Sequence, residues 1–94
     1  MDVHGLAHLN DLVQHYKDAS RDAASWLAIV RAAEWMTPHD VRGQFPKVSI
    51  LGGNMYIFNI CGTKYRLAVK IAFNTKTVLI IRAGSHKEYD RWKL

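Results

Sequence analysis

Arg66, Lys70, Arg82, His86 and Tyr89 have side chains that could act together on a phosphodiester. A guanidinium offers a planar fork of donors and an ammonium a compact positive charge, and both suit phosphate oxygens. Cations gathered on one surface repel one another unless solvent or an anion relieves them. Histidine is the side chain that titrates nearest neutrality, which makes His86 a natural proton carrier. Tyr89, three residues on, lies beside it if the segment turns helically. Cations, a histidine and a tyrosine make a kit for cleaving RNA through attack by its own 2′-hydroxyl. The only acids close to the group are Glu88 and Asp90, so nothing resembles the carboxylate cluster of a metal nuclease. No metal and no cofactor are expected.

What must position these residues is a sheet. In Tyr65–Phe73 the odd positions are all apolar, and the even ones are Arg66, Ala68, Lys70 and Ala72. Alternation across a strand sends the odd set to the core and the even set to the opposite face, with small alanines leaving an open floor between the cations. A turn at Gly62-Thr63 pairs Phe58 with Leu67 and Asn59 with Arg66, so Asn59 shares the cationic face. A loop of Asn74-Thr75-Lys76 pairs Phe73 with Thr77 and places Ala68 opposite Arg82. That register sends Leu79 and Ile81 to the core and sets Arg82 diagonally from both Arg66 and Lys70, roughly 7–8 Å away. The strand then delivers Gly84-Ser85-His86-Lys87-Glu88-Tyr89-Asp90 to the edge of the face. The competing interpretation is a solvated sheet surface that simply carries long polar side chains.

Upstream the periodicity is helical. Leu6, Leu9, Leu12, Val13 and Tyr16 form one apolar stripe, and Ala23, Trp26, Leu27, Val30 and Ala33 a second, in a helix capped by Ser20 and running to about Trp35. Thr37-Pro38 opens a short third helix toward Phe45, and Pro46 ends it. Strands follow at Val48–Leu51, Tyr56–Ile60, Tyr65–Phe73 and Thr77–Ala83, with a turn at Gly52-Gly53-Asn54. The expected fold is α+β, a twisted antiparallel sheet with the N-terminal helices on one face, as one domain over residues 1–94.

Composition narrows the classes further. Ninety-four residues, 49% of them hydrophobic, suit one core and not two. No apolar run approaches the roughly 20 residues of a membrane span, and no secretory leader is legible, so a soluble cytoplasmic protein is expected. A single cysteine, Cys61, excludes an internal disulfide and a cysteine-cluster zinc site. The net charge of +5 favours a polyanionic partner, nucleic acid first. His4, His8 and His15, with Asp11 and Asp18 nearby, fall on one side of a helical wheel and are read as a solvated face, not a metal site. Trp92, beside a basic tail, either stacks on a base or docks the terminus. Lys17, Arg21 and Arg31 are read as solvated.

The run from Phe58 to Leu67, then Lys70-Ile71, then Ile81 through Asp90 resembles HigB-type toxins of the RelE-like toxin–antitoxin ribonucleases. The upstream Trp35, Pro38, Phe45 and Pro46 match the same layout, so the resemblance covers most of the chain. It departs in two places: Ser85 replaces a threonine before the histidine, and His4-Gly5 weakens the usual first strand. The resemblance implies a RelE-like microbial ribonuclease fold with its active site on the sheet face away from the helices. It implies an mRNA interferase, an endoribonuclease that inhibits translation by cutting messenger RNA on the ribosome. Arg66, Lys70, Arg82, His86 and Tyr89 fall at catalytic positions. Asn59, Lys64, Lys87, Asp90 and Trp92 are read as RNA-contacting, with Asp90 orienting His86 or capping the segment. The implied partner is a helix-turn-helix antitoxin of the HigA type, through which alone the toxin would meet operator DNA. The alternatives are a non-catalytic nucleic-acid-binding or repressor-complex subunit, which would need the cations but not His86 and Tyr89, and a pure protein-interaction subunit.

Overall fold

The alternating second half folds as a sheet and the helical first half covers one face of it. The computed structural model describes residues 1–93. A short strand, β1 (Asp2–His4), leads into α1 (Leu6–His15). A 3-10 turn at Lys17–Ala19 joins this to α2 (Ser20–Ala32), followed by α3 (Pro38–Gln44). Strands β2 (Ser49–Ile50), β3 (Met55–Ile60), β4 (Tyr65–Ala72) and β5 (Thr77–Ser85) follow, and α4 (His86–Tyr89) closes the order. The sheet runs β1-β5-β4-β3-β2. It is antiparallel from β2 to β5, as the turn spacing predicts, and mixed overall because β1 lies parallel to β5.

The predicted apolar stripes make the core. Leu9 and Leu12 of α1, and Ala23, Trp26 and Val30 of α2, are buried. They face Tyr56, Phe58, Leu67, Val69, Ile71, Val78 and Ile80 on the sheet, in one continuous cluster. Each fully buried aliphatic side chain contributes about 1.5–3 kcal/mol of apolar transfer. Phe58 is the aromatic hub: Trp26 meets it edge-on at 5.5 Å and Phe45 at 4.9 Å, between ring centroids. Ser20 does not cap α2; Ala19 precedes the helix with no side-chain hydrogen bond, and Ser20 is already its first residue. The 3-10 turn feeds the chain into α2 in near-helical geometry, so no capping side chain is called for. Thr37 does cap α3, in a reciprocal box with Asp40, and Pro38 takes the first turn.

The one register expectation that fails is informative. Phe73 does not pair with Thr77; Ala72 does, and the loop is longer by one residue. Val78 and Ile80 therefore take the core face, while Leu79 is 44% exposed and Ile81 only partly covered. Carried on unbroken, that alternation would bury Arg82. The register instead shifts between Ala68 and Val69 of β4, where Ile81 of β5 is the extra residue, and Ala68 regains Arg82 as its partner. A β-bulge thus satisfies both demands, apolar residues inward before it and the cation outward after it.

β1 depends on Gly5, which sits at φ 81° between strand and helix. A Cβ there would collide with the Ile80 carbonyl oxygen. The glycine that weakens the strand in sequence is what lets it turn onto β5. Gly5→Ala should cost about 2–4 kcal/mol through unfavourable φ and steric displacement of β5. Urea unfolding measures this, and an unchanged midpoint would show that β1 and α1 can join by another path.

Candidate active site

Arg66 anchors the site. It stands on β4 opposite Asn59 of β3 and Gly84 of β5, on the sheet face away from the helices. Its guanidinium Nη1 donates to the Thr63 carbonyl at 2.7 Å, which folds the side chain back over the β3–β4 turn. That turn holds Cys61 at φ 57° and Gly62 at φ 68°, a left-handed pair. The guanidinium carbon lies 5.5 Å from the Tyr89 ring centroid, in cation–π range. Among the described residues no carboxylate pairs with Arg66, Lys70 or Arg82.

Tyr89 reaches Arg66, with His86 beside it on α4, because β5 ends in a capped turn. Ser85 accepts from the Glu88 amide at 3.1 Å, and the Glu88 carboxylate accepts from the Ser85 amide at 3.0 Å. This box holds the four residues of α4, which have too few backbone bonds to be stable alone. The His86 amide also donates to the Lys64 carbonyl at 2.8 Å, tying α4 to the turn beside Arg66. His86 and Tyr89 are 6.5 Å apart between ring centroids, and Asp90 approaches His86 Nδ1 at 3.5 Å. One helical turn therefore sets an imidazole, a carboxylate and a phenol beside a guanidinium.

The other sequence candidates divide. Arg82 is exposed, diagonal to Arg66, in a cleft that it shares with His8, Glu88 and Trp92. Lys70 sits opposite Leu79 and Met55, four residues along β4 from Arg66 or about 13 Å at strand rise. The bulge also puts Arg82 one residue farther from Lys70 than an even register would. The floor between the cations is closed: Ala68 and its partner Ile57 are both buried. Lys64 points its ammonium at Asp18, 3.2 Å away. Lys87 is exposed on α4. Trp92 is half-buried against Tyr89, 5.6 Å between ring centroids, and its indole would lie only 3.0 Å from a Cβ at residue 84, where glycine stands. His4 lies in β1, so the helical wheel that grouped it with His8 and His15 does not apply. Cys61 directs its thiol to the Asp18 carbonyl.

Two clamps around the site escaped the sequence reading. Asp18 accepts from the Tyr65 hydroxyl at 2.6 Å as well as from Lys64, pinning the β3–β4 turn to the 3-10 turn. Tyr16 donates to the Glu88 carboxylate at 2.9 Å, pinning α4 to α1. Their partners lie 47 and 72 residues away in sequence, beyond any local pattern. The tyrosine hydrogen bond holds the Asp18 carboxyl below its usual value, and Asp18 pushes the Tyr65 phenol up to about 12. Glu88 is likewise lowered, first by the Ser85 amide and then by Tyr16. Carboxyl values lowered by folding stabilise the fold above their usual range, and that support is lost as pH falls through the lowered values. Replacing Asp18 and Glu88 by Asn and Gln should therefore flatten the acid side of the stability profile. Urea midpoints across pH measure this; an acid limb as steep as the parent's would mean other carboxylates carry it.

No helix of the described residues is long and apolar enough to cross a membrane. A search of curated proteins found no match. The family described as HigB toxin, the RelE-like toxic component of a toxin–antitoxin system, matches residues 19–92. That span holds α2, α3, the four antiparallel strands and α4 with Arg66, Arg82, His86 and Tyr89. The chain belongs to the HigB toxin family and is the RelE-like toxin component of a toxin–antitoxin system.

Proposed function

We propose that the toxin is an endoribonuclease that cuts messenger RNA on the ribosome, by attack of the 2′-hydroxyl and without a metal. The observation that carries this reading is the Arg66 guanidinium over Tyr89, on the helical turn that holds the His86–Asp90 pair, with no carboxylate on Arg66 among the described residues. Internal attack builds negative charge on the phosphate oxygens, and fixed cations there stabilise the transition state more than the ground state. Arg66 and Arg82 are the cations near enough to share one phosphate. Lys70, about 13 Å along the strand, suits a neighbouring phosphate and holds the RNA in line. His86 and Tyr89 move protons from the 2′-hydroxyl and to the leaving 5′-oxygen. Asp90 acts through His86, fixing the orientation of its ring. Asn59 and Lys87 contact the RNA around this centre, and Trp92 supports Tyr89 from behind.

The same reading supplies the setting. A toxin of this family works in the cytoplasm, where messenger RNA and ribosomes are. A HigA-type helix-turn-helix antitoxin restrains it and brings the pair to operator DNA. The exposed positive face is what an acidic or shape-matched inhibitor would engage.

Arg66→Ala and Arg82→Ala should each lower cleavage by about 10²–10³, the usual loss of one transition-state donor. Lys70→Ala should act chiefly through KM. His86→Ala and Tyr89→Phe should let cells survive expression at equal protein level. Transcript ends should carry 2′,3′-cyclic phosphate or 3′-phosphate, and cleavage should survive chelation of transition metals while magnesium keeps ribosomes intact. Ends bearing 3′-hydroxyl, or cleavage of DNA, would overturn internal attack. RNA binding with no cleavage in the parent protein would establish the non-catalytic alternative.

A further inference from the structure

Beyond the phosphate-handling groups, a cleft of about 370 Å³ opens at the end of β3, and the reaction as proposed gives it no part. Its walls are Phe45, Pro46, Val48 and Phe58, and its polar edge is Asn59 and Thr63. Ligand pockets run from roughly 300 to 1,000 Å³, so this one has room for a single planar group and not for a folded RNA element. Apolar and aromatic walls edged by side-chain amides, here Asn59 and the Trp35-bonded Gln44, suit an unstacked nucleobase, which stacks on rings and hydrogen-bonds along its edge.

The position of the cleft selects its occupant. Asn59, at the mouth, is the direct cross-strand partner of Arg66. Thr63, at the same mouth, gives its carbonyl to the Arg66 guanidinium at 2.7 Å. Opposed side chains start about 5 Å apart across an antiparallel pair, comparable to the ribose that separates a base from its phosphate. Lys47 adds a positive charge at the rim, which favours a ligand carrying phosphate.

We propose that this cleft is a nucleobase subsite, which takes the base of the nucleotide whose phosphate rests on Arg66. The inference deepens the ribonuclease reading and rests on it for the phosphate. It assigns the partly exposed Phe45 to stacking on the base, with buried Val48 and Phe58 closing the cleft behind it, and Asn59 to the hydrogen-bonding edge of the base. Base selection at the cut then resides in the β3–β4 turn and the segment after α3, not in the cations.

Titration of the intact protein with each of the four 3′-mononucleotides and with inorganic phosphate, followed by backbone amide NMR, tests the assignment. The expected result is that inorganic phosphate shifts resonances around Arg66 and Tyr89. At least one mononucleotide adds shifts at Val48, Phe58, Asn59 and Thr63 and binds at least tenfold more tightly than phosphate. Pro46 is an exposed wall of the cleft and has no part in the phosphate site, so Pro46→Trp fills the cleft without entering the core. It should remove the added shifts and the tenfold gain, while the response to phosphate remains. Equal affinity for phosphate and all four mononucleotides, or added shifts away from the cleft, would overturn the subsite and leave the phosphate site intact. Mononucleotide shifts in the cleft with none at Arg66 would overturn it too, by separating base from phosphate. Neither result depends on cleavage, so loss of the ribonuclease reading is recognised separately, from the transcript ends.

Discussion

The bulge at Ile81 is the constraint on which the arrangement of this toxin depends. β5 must bury Val78 and Ile80 against the helices and yet expose Arg82 on the opposite face. A strand of strict period two cannot do both. The extra residue reverses the alternation once, and everything C-terminal to it follows the new phase. Gly84 thereby meets Arg66, Ser85 meets Tyr65, and α4 begins at the corner where His86 and Tyr89 can approach the guanidinium. The bulge separates two functions of one strand: its first half is structural and its second half presents chemistry.

Around that strand the site is assembled from weak parts made firm by sharing. α4 is one turn long and β1 is three residues, lengths with little stability of their own. Each is held by contacts from elsewhere in the chain, α4 through the Lys64 carbonyl and Tyr16, β1 through its pairing with β5. Tyr16 precedes the residues matched to the family and still holds α4 within that match. The fold thus places its candidate site on an end that the first helix must secure.

The parts legible in sequence were those set by local periodicity and turn chemistry. Alternation in Tyr65–Phe73 reported the two faces of β4, and the turn at Gly62-Thr63 reported the pairing of Asn59 with Arg66. Thr37-Pro38 marked the start of α3. The hidden parts are those decided at a distance. Leu79 and Ile81 read as core because an unbroken strand that exposes Arg82 requires it, and nothing local announces a bulge. β1 looked weak because Gly5 was judged as a strand residue, whereas its work is done against Ile80. The Lys70 position followed the same register and moved away from Arg82 with it. Asp18 and Tyr16 carry no motif; only tertiary structure brings them to Tyr65 and Glu88.

The carboxylate of Glu88 accepts from Ser85 and from Tyr16 at a single oxygen, so capping α4 and fastening it to α1 are one event. Cooperativity in this region is therefore local and separate from the sheet. When that oxygen is released, α4 loses the Tyr16 tether and half of its capping box together, keeping the Ser85 hydroxyl and the Lys64 carbonyl. Such an opening is a subglobal one, with a free energy below that of whole-chain unfolding. Amide exchange along α4 would then proceed through fraying that leaves the core protected. The end that carries the candidate groups is thus fastened to two elements at one carboxylate oxygen.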